Sequence, residues 1–304
     1  TNAIYATVAG GKLNIASGNY SAIGGGQQNT ASGMYATVSG GGPSNESDPD
    51  NTKNEATDNY CTIGGGGGNQ AGNSDEDFTN AIYATVAGGY NNTASREASA
   101  IGGGVLNTAS GFISAIGGGS DNTASGDYSA IGGGYHNTAS GAESAIGGGG
   151  NNTASGVYSV IPGGYGNTAS GWYSFAAGHQ AHATTDGSFV WADAQGGGYS
   201  DHGINTFNVR AQNGAFIDAA PSESPGLRVI NTSSGTTADN GTAVLGVSIS
   251  NYGYGLNGWN YVNGVGVGAW SYGGNLIEAY AGGFPLETLR FYVDNAGNVH
   301  YDGA

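Results

Sequence analysis

Positive charge is scarce in this chain. Six Lys plus Arg stand against 22 Asp plus Glu, a formal net charge of −16. Such a chain repels nucleic acid and anionic lipid, so neither is expected as a partner. Cysteine is nearly absent: Cys61 stands alone, which rules out an intrachain disulfide framework. It occupies a repeat position otherwise held by Ser or Ala, so a buried small residue is expected rather than redox chemistry. No apolar run approaches the length of a membrane-spanning helix, and no membrane insertion is expected. The chain opens at Thr1 without Met or a signal-peptide pattern, which suits a mature product or a piece of a longer polypeptide. Charged residues make up only 9% and aromatics 10%, the reverse of a disordered composition.

What the chain has in excess is glycine, 62 of 304 residues, without a strict Gly-X-Y period, so collagen is excluded. The glycines belong to an internal repeat, S-G-x-Y-S-A-I-G-G-G-x-x-N-T-A. Its apolar anchor recurs every 15 residues at Ile101, Ile116, Ile131, Ile146 and Ile161, then at Ala176 and Trp191. Upstream the same step links Val8, Ile23 and Val38, and later Val86 to Ile101. Two longer steps, Val38 to Ile63 and Ile63 to Val86, carry insertions near 43–57 and 69–78 that read as surface loops. Thr1–Gly11 and Thr79–Gly89 are the same eleven residues.

Three consecutive glycines in every unit exclude a stable helix. Tyr-Ser-Ala-Ile alternates at period two and suits a short strand. Gly-Gly-Gly turns the chain, Asn-Thr-Ala-Ser forms a second strand, and Ser-Gly turns it back. One repeat is then one coil of a parallel β-solenoid. About twelve coils at the ~4.8 Å strand spacing predict a rod of roughly 55–60 Å. Stacking sets like on like, so Asn92, Asn107, Asn122, Asn137, Asn152 and Asn167 are expected to form a side-chain amide ladder, with Thr93 to Thr168 forming another. The Ile/Val column is expected as an apolar stripe along the rod that self-association would cover.

Beyond residue 194 the repeat is lost. Short alternating runs at Gly226–Ile230, Ala243–Ile249, Leu276–Tyr280 and Leu289–Val293, separated by Gly, Asn and Ser, predict a second all-β domain over 195–304. Asp294–Asn298 reads as a hairpin turn.

At x-A-[IV]-G followed by an S/A-rich turn and S-G, residues 1–194 resemble the YadA-like head repeats of trimeric autotransporter adhesins. The resemblance implies a left-handed parallel β-roll and a homotrimer. The period here is 15 rather than the family's usual 14, and Ser often replaces a larger apolar residue. Ser188-Phe189-Val190-Trp191-Ala192-Asp193 is similar to the exit motif that follows such heads in bacterial surface and phage-tail-fibre-like proteins. Leu289-Arg290-Phe291-Tyr292-Val293-Asp294-Asn295-Ala296-Gly297-Asn298-Val299 resembles a tail-fibre hairpin.

Candidate contacts lie first in the Tyr column: Tyr5, Tyr20, Tyr35, Tyr60, Tyr83, Tyr128, Tyr158 and Tyr173, with Ala98, Ile113 and Glu143 at the same position. Exposed Tyr can stack on sugars, and the competing expectation is ring packing between neighbouring coils. Tyr128, Tyr158 and Tyr173, with Trp259 and Trp270 further on, are the candidate ligand contacts. The loop acids Glu46, Asp48, Asp50, Glu55, Asp58, Asp75, Glu76 and Asp77 are of the kind that binds Ca2+, but no calcium-loop spacing occurs and solvated loops are expected. His179, His182, Asp186 and His202 form no tight ligand motif. Asp127, Glu143, Glu278 and Glu287 are isolated acids without the pairing that glycan hydrolysis needs. No catalytic residue, metal or cofactor is therefore assigned, and an enzyme is not expected. The Thr-x-Ser columns add an ice-binding-type face as a minor alternative.

The reading is an extracellular trimeric fibre or adhesin on a cell or virion surface that attaches to a glycan or receptor. The alternatives are a filament subunit polymerising end to end and a glycan-cleaving tailspike.

Overall fold

In the computed structural model the described residues are 3–211, apart from 46, 48–51, 76, 195 and 196. The backbone of three later strands, Ile277–Ala281, Thr288–Val293 and Val299–Tyr301, is also described. The fold is all-β: a parallel solenoid of about 13 turns with about 15 residues each. Two compact units divide at Phe216 and Ile217.

Each full coil of the first unit contributes two short strands. The first strands, from Thr7–Val8 through Ala100–Ile101 to Phe207–Arg210, stack in parallel as one sheet. The second strands, from Ile15–Ala16 through Thr108–Ala109 to Tyr199–Ser200, stack as another. Register is one repeat per step, with Ile101 opposite Ile116 and Thr108 opposite Thr123. Both sheets therefore continue past residue 194, the boundary expected from loss of the repeat. Residue identity is lost there while strand pairing is not: Phe189 to Ala192 pair with Phe207 to Arg210.

A third ladder has no counterpart in the sequence reading. Single parallel bridges run Tyr90–Val105–Ser120–Tyr135–Gly150–Tyr165. This position accepts Gly, Ser, Val and Tyr, because only its backbone takes part. It gives each coil a third side.

The core lies between the two sheets. Ile101, Ile116, Ile131, Ile146 and Ile161 point inward and are 0–2% exposed, facing a column of equally buried alanines, Ala94 to Ala169. The expectation of an exposed Ile/Val stripe is thus corrected. The coil is flat enough that a large residue on one inner face and a small one on the other fill it. Each buried Ile contributes about 1.5–3 kcal/mol relative to exposure. The surface available to a partner is the outward side of the same sheet. One outward column reads Thr7, Ala22, Thr37, Thr62, Thr85, then Ala100 to Ala145, Val160, Phe175, Phe189 and Phe207.

At the turns, Gly104 adopts φ +91°, and a Cβ there would run into the Gly119 carbonyl of the next coil. The insertions are shorter than expected and leave the stack intact: Glu55–Ala56, within 43–57, pairs with Thr30–Ala31, Gln70–Ala71, within 69–78, pairs with Glu55–Ala56, and Thr37–Val38 pairs with Thr62–Ile63.

In the second unit Ile277–Ala281, Thr288–Val293 and Val299–Tyr301 form an antiparallel three-stranded sheet. The expected strands at 276–280 and 289–293 fall within one residue of two of these. The expected strands at 226–230 and 243–249 and the turn at 294–298 lie outside the described residues.

Candidate functional site

The Tyr column sits on one corner of the rod. Its backbone is left-handed at every coil, from φ 57° at Tyr5 to 56° at Tyr173, an uncommon state for residues other than glycine. A cross-coil hydrogen bond holds it there: Tyr128 N–H donates to Phe112 O, Glu143 N–H to Asp127 O, and Tyr158 N–H to Ala142 O, at 2.7 to 3.0 Å. The corner therefore keeps its register whatever side chain it carries.

The rings stack along the axis. Tyr5 to Tyr83 form a run of five at centroid spacings of 4.8 to 5.3 Å, and Tyr158 lies on Tyr173 at 5.0 Å and 2°. The rings also keep outer surface: Tyr128 is 53% exposed and Tyr173 63%. Stacking and exposure therefore coexist at this corner. Glu143 interrupts the column. Its carboxylate neighbours the Tyr158 phenol and raises it above its ordinary value, through side-chain hydrogen bonding and then charge repulsion. A shallow depression of about 370 Å³ opens between Tyr128 and Glu143. Sequence reasoning singled out the rings and treated Glu143 as isolated. The signal that joins them is the 15-residue step from 128 to 143 to 158.

Other candidates are placed differently. Trp259 and Trp270 lie outside the described residues, as do Glu46, Asp48, Asp50 and Glu76. Glu55 pairs with Lys53 at 3.0 Å. Asp58 is buried and accepts from the Thr57 hydroxyl and the Asn73 amide. Asp75 is held below its ordinary value, first by the Asn80 side chain and then by the Asp77 amide. His202 Nδ1 lies 2.8 Å from Asn208 Oδ1, and His179 stacks on Tyr165. Asp186 accepts the Trp172 amide. Among the described residues no group of three or more His, Cys, Asp or Glu is arranged to hold a metal ion.

The Asn column forms the expected ladder. Asn122 Oδ1 accepts both the backbone and the side-chain N–H of Asn137, while Asn122 Nδ2 donates to Gly118 O and Gly134 O. The Thr column lies on the outward side of the second sheet, half-buried from Thr93 to Thr168. At the C-terminal end of this unit Phe175, Phe189 and Phe207 stack at 4.6 Å on the first sheet's outer side, a feature that sequence reasoning missed. Its signal is the steps of 14 and 18 residues between them, close to the repeat but not equal to it.

Comparison with family models finds no match to this chain, and comparison with curated proteins finds none either.

Proposed function

We propose that this chain is the rod of an extracellular fibre. Three copies associate side by side, and the assembly attaches to a surface glycan or receptor. The observation carrying this reading is the outer side of the first sheet. Its second outward column, Ala9, Gly24, Ser39, Gly64, Ala87, then Gly102 to Gly147, Pro162, Ala177, Trp191 and Val209, is as free of charge as the first. In a chain of net charge −16, this is the face that identical copies can bring together without repulsion. Its profile widens from Ala to Phe and Trp along the rod, supplying apolar area where the repeat ends.

Light scattering after size exclusion tests the assembly, with the mass of three chains expected. A glycan array tests attachment, with selective binding expected. A monomer with no selective glycan overturns the reading.

A filament growing end to end is the alternative reading, since every coil stacks on the next by the same parallel pairing. Thr79–Gly89 docks on the coil before it: Tyr83 stacks on Tyr60 at 5.1 Å, and Gly64 N–H donates to Val86 O at 2.9 Å. Continuous fibres in electron micrographs would support this reading over discrete rods. Release of reducing ends from polysaccharide would instead indicate a glycan-cleaving spike.

A further inference from the structure

The Tyr column contains one notch that combines ring faces with a carboxylate. We propose that this notch, formed by Tyr128, Glu143 and Tyr158, is a subsite for one uncharged pyranose ring. The proposal rests on the glycan-attachment reading and gives it an address.

The geometry follows from the ladder. One ring per coil fills this corner from Tyr5 to Tyr83, at spacings of 4.8 to 5.3 Å. Tyr158 stacks on Tyr173 with one face, so its other face is turned toward the coil of Glu143. No ring stands there. Tyr128 belongs to the coil beyond, two strand spacings or roughly 10 Å from Tyr158 along the axis. The backbone is continuous through this stretch, with φ of 60°, 56° and 60° at Tyr128, Glu143 and Tyr158. The gap is therefore a corner that carries a carboxylate where a ring could stand, not a distortion of the coil; on its other side Tyr128 is the lone ring of the column there, edge-on to Phe112 at 5.3 Å.

Its chemistry suits a sugar. A pyranose presents a C–H face that packs on an aromatic ring, and hydroxyl donors that a carboxylate accepts. Glu143 lines the depression beside Tyr128 and is an acceptor. A hydroxyl donor from a sugar uses the lone pairs of the carboxylate. The gaps at Ala98 and Ile113 lack a carboxylate in the column, so they offer a ring no polar anchor. An anionic sugar is disfavoured, because its charge would meet Glu143 in a chain of net charge −16.

Saturation-transfer NMR on the full chain tests this, with methyl glucoside, methyl galactoside, methyl mannoside and N-acetylglucosamine as probes and N-acetylneuraminic acid as the anionic comparison. Transfer to the ring C–H protons of at least one neutral probe is expected, with none to the anionic one. Glu143→Tyr completes the stack with the side chain that neighbouring coils carry there, and should weaken binding at least about tenfold. Its urea midpoint should be no lower than that of the parent chain. Glu143→Gln keeps the shape and should also weaken binding, while Tyr20→Phe, in the unbroken run, should not. No transfer to any neutral probe, or equal transfer in Glu143→Tyr, overturns the notch. Glycan-array binding that survives in Glu143→Tyr would overturn the notch but leave the attachment reading standing. Loss of all selective array binding by the parent chain would remove both.

Discussion

At the scale of single residues, burial decides chemistry. Cys61 replaces Ser or Ala in a column that is wholly inside the coil, and desolvation pushes its thiol up to about 12. It should resist alkylation by iodoacetamide at pH 8 in the native protein and react completely in denaturant, a contrast that mass spectrometry reads. Asn122 shows the opposite use of a buried polar group. Replacing it by Ala leaves the buried Asn137 amide without its acceptor and Gly118 O without a donor, while Gly134 O keeps the Ser120 N–H. An unmet buried group costs about 1–3 kcal/mol, so Asn122→Ala should lower stability by roughly 2–4 kcal/mol in urea titration. The Asn column was legible in the sequence because a repeat forces identical side chains into register. The influence of Glu143 on the Tyr158 phenol was not, since it joins different residues on adjacent coils.

At the scale of the coil, the glycine turn carries two different demands. In Gly102-Gly103-Gly104 the last residue has both a positive φ and the next coil's backbone against its α-carbon. In the next turn Gly118, the middle residue, has nothing within 4 Å of a Cβ. Gly104→Ala should therefore cost about 2 kcal/mol or more, and Gly118→Ala should stay within about 0.5 kcal/mol, as compared by thermal melts. The turn was legible as three glycines, but which of them is obligatory is decided by the next coil. Asp201 fastens two later turns. Partial burial raises its carboxyl, but hydrogen bonds from the amides and hydroxyls of Thr185 and Thr184 outweigh that and hold it below 3.8. Thr184 and Thr185 amides both donate to it, at 2.6 and 2.7 Å. A carboxyl whose folded value is depressed stabilises the fold above 3.8, and that contribution is lost as pH falls through the lower folded value. The Thr185 amide shift should titrate below 3.8, and melting temperature should fall over the same range; Asp201→Asn should flatten both.

At the scale of the molecule, the distribution of charge matters more than its total. The first sheet's outer columns carry none, and the proposed association of copies rests on that side. Glutamate at Ala115 and Ala130 together should reduce the particle to a monomer by light scattering, with circular dichroism unchanged because both side chains point outward. A mass that does not change would place the contact elsewhere. The expected Ile/Val stripe could not serve this purpose, because those side chains are consumed by the coil's own core.

The sequence alone determined the period, the parallel stacking and the ladders of like residues, because a repeat leaves each coil only its neighbours to pair with. It also announced the insertions, since a loop can leave a stack without altering the register on either side. Tertiary structure decided what periodicity cannot encode. It set which of two adjacent residues, Ala100 or Ile101, faces inward, because a two-residue strand is too short for alternation to assign a side. It added the third ladder, which rests on backbone alone, and it carried the sheets on to Arg210, where pairing outlives the repeat. And it turned a break in the Tyr column into a notch, because a missing ring acquires a shape only when the rings on either side are held in place, Tyr158 on Tyr173 and Tyr128 against Phe112.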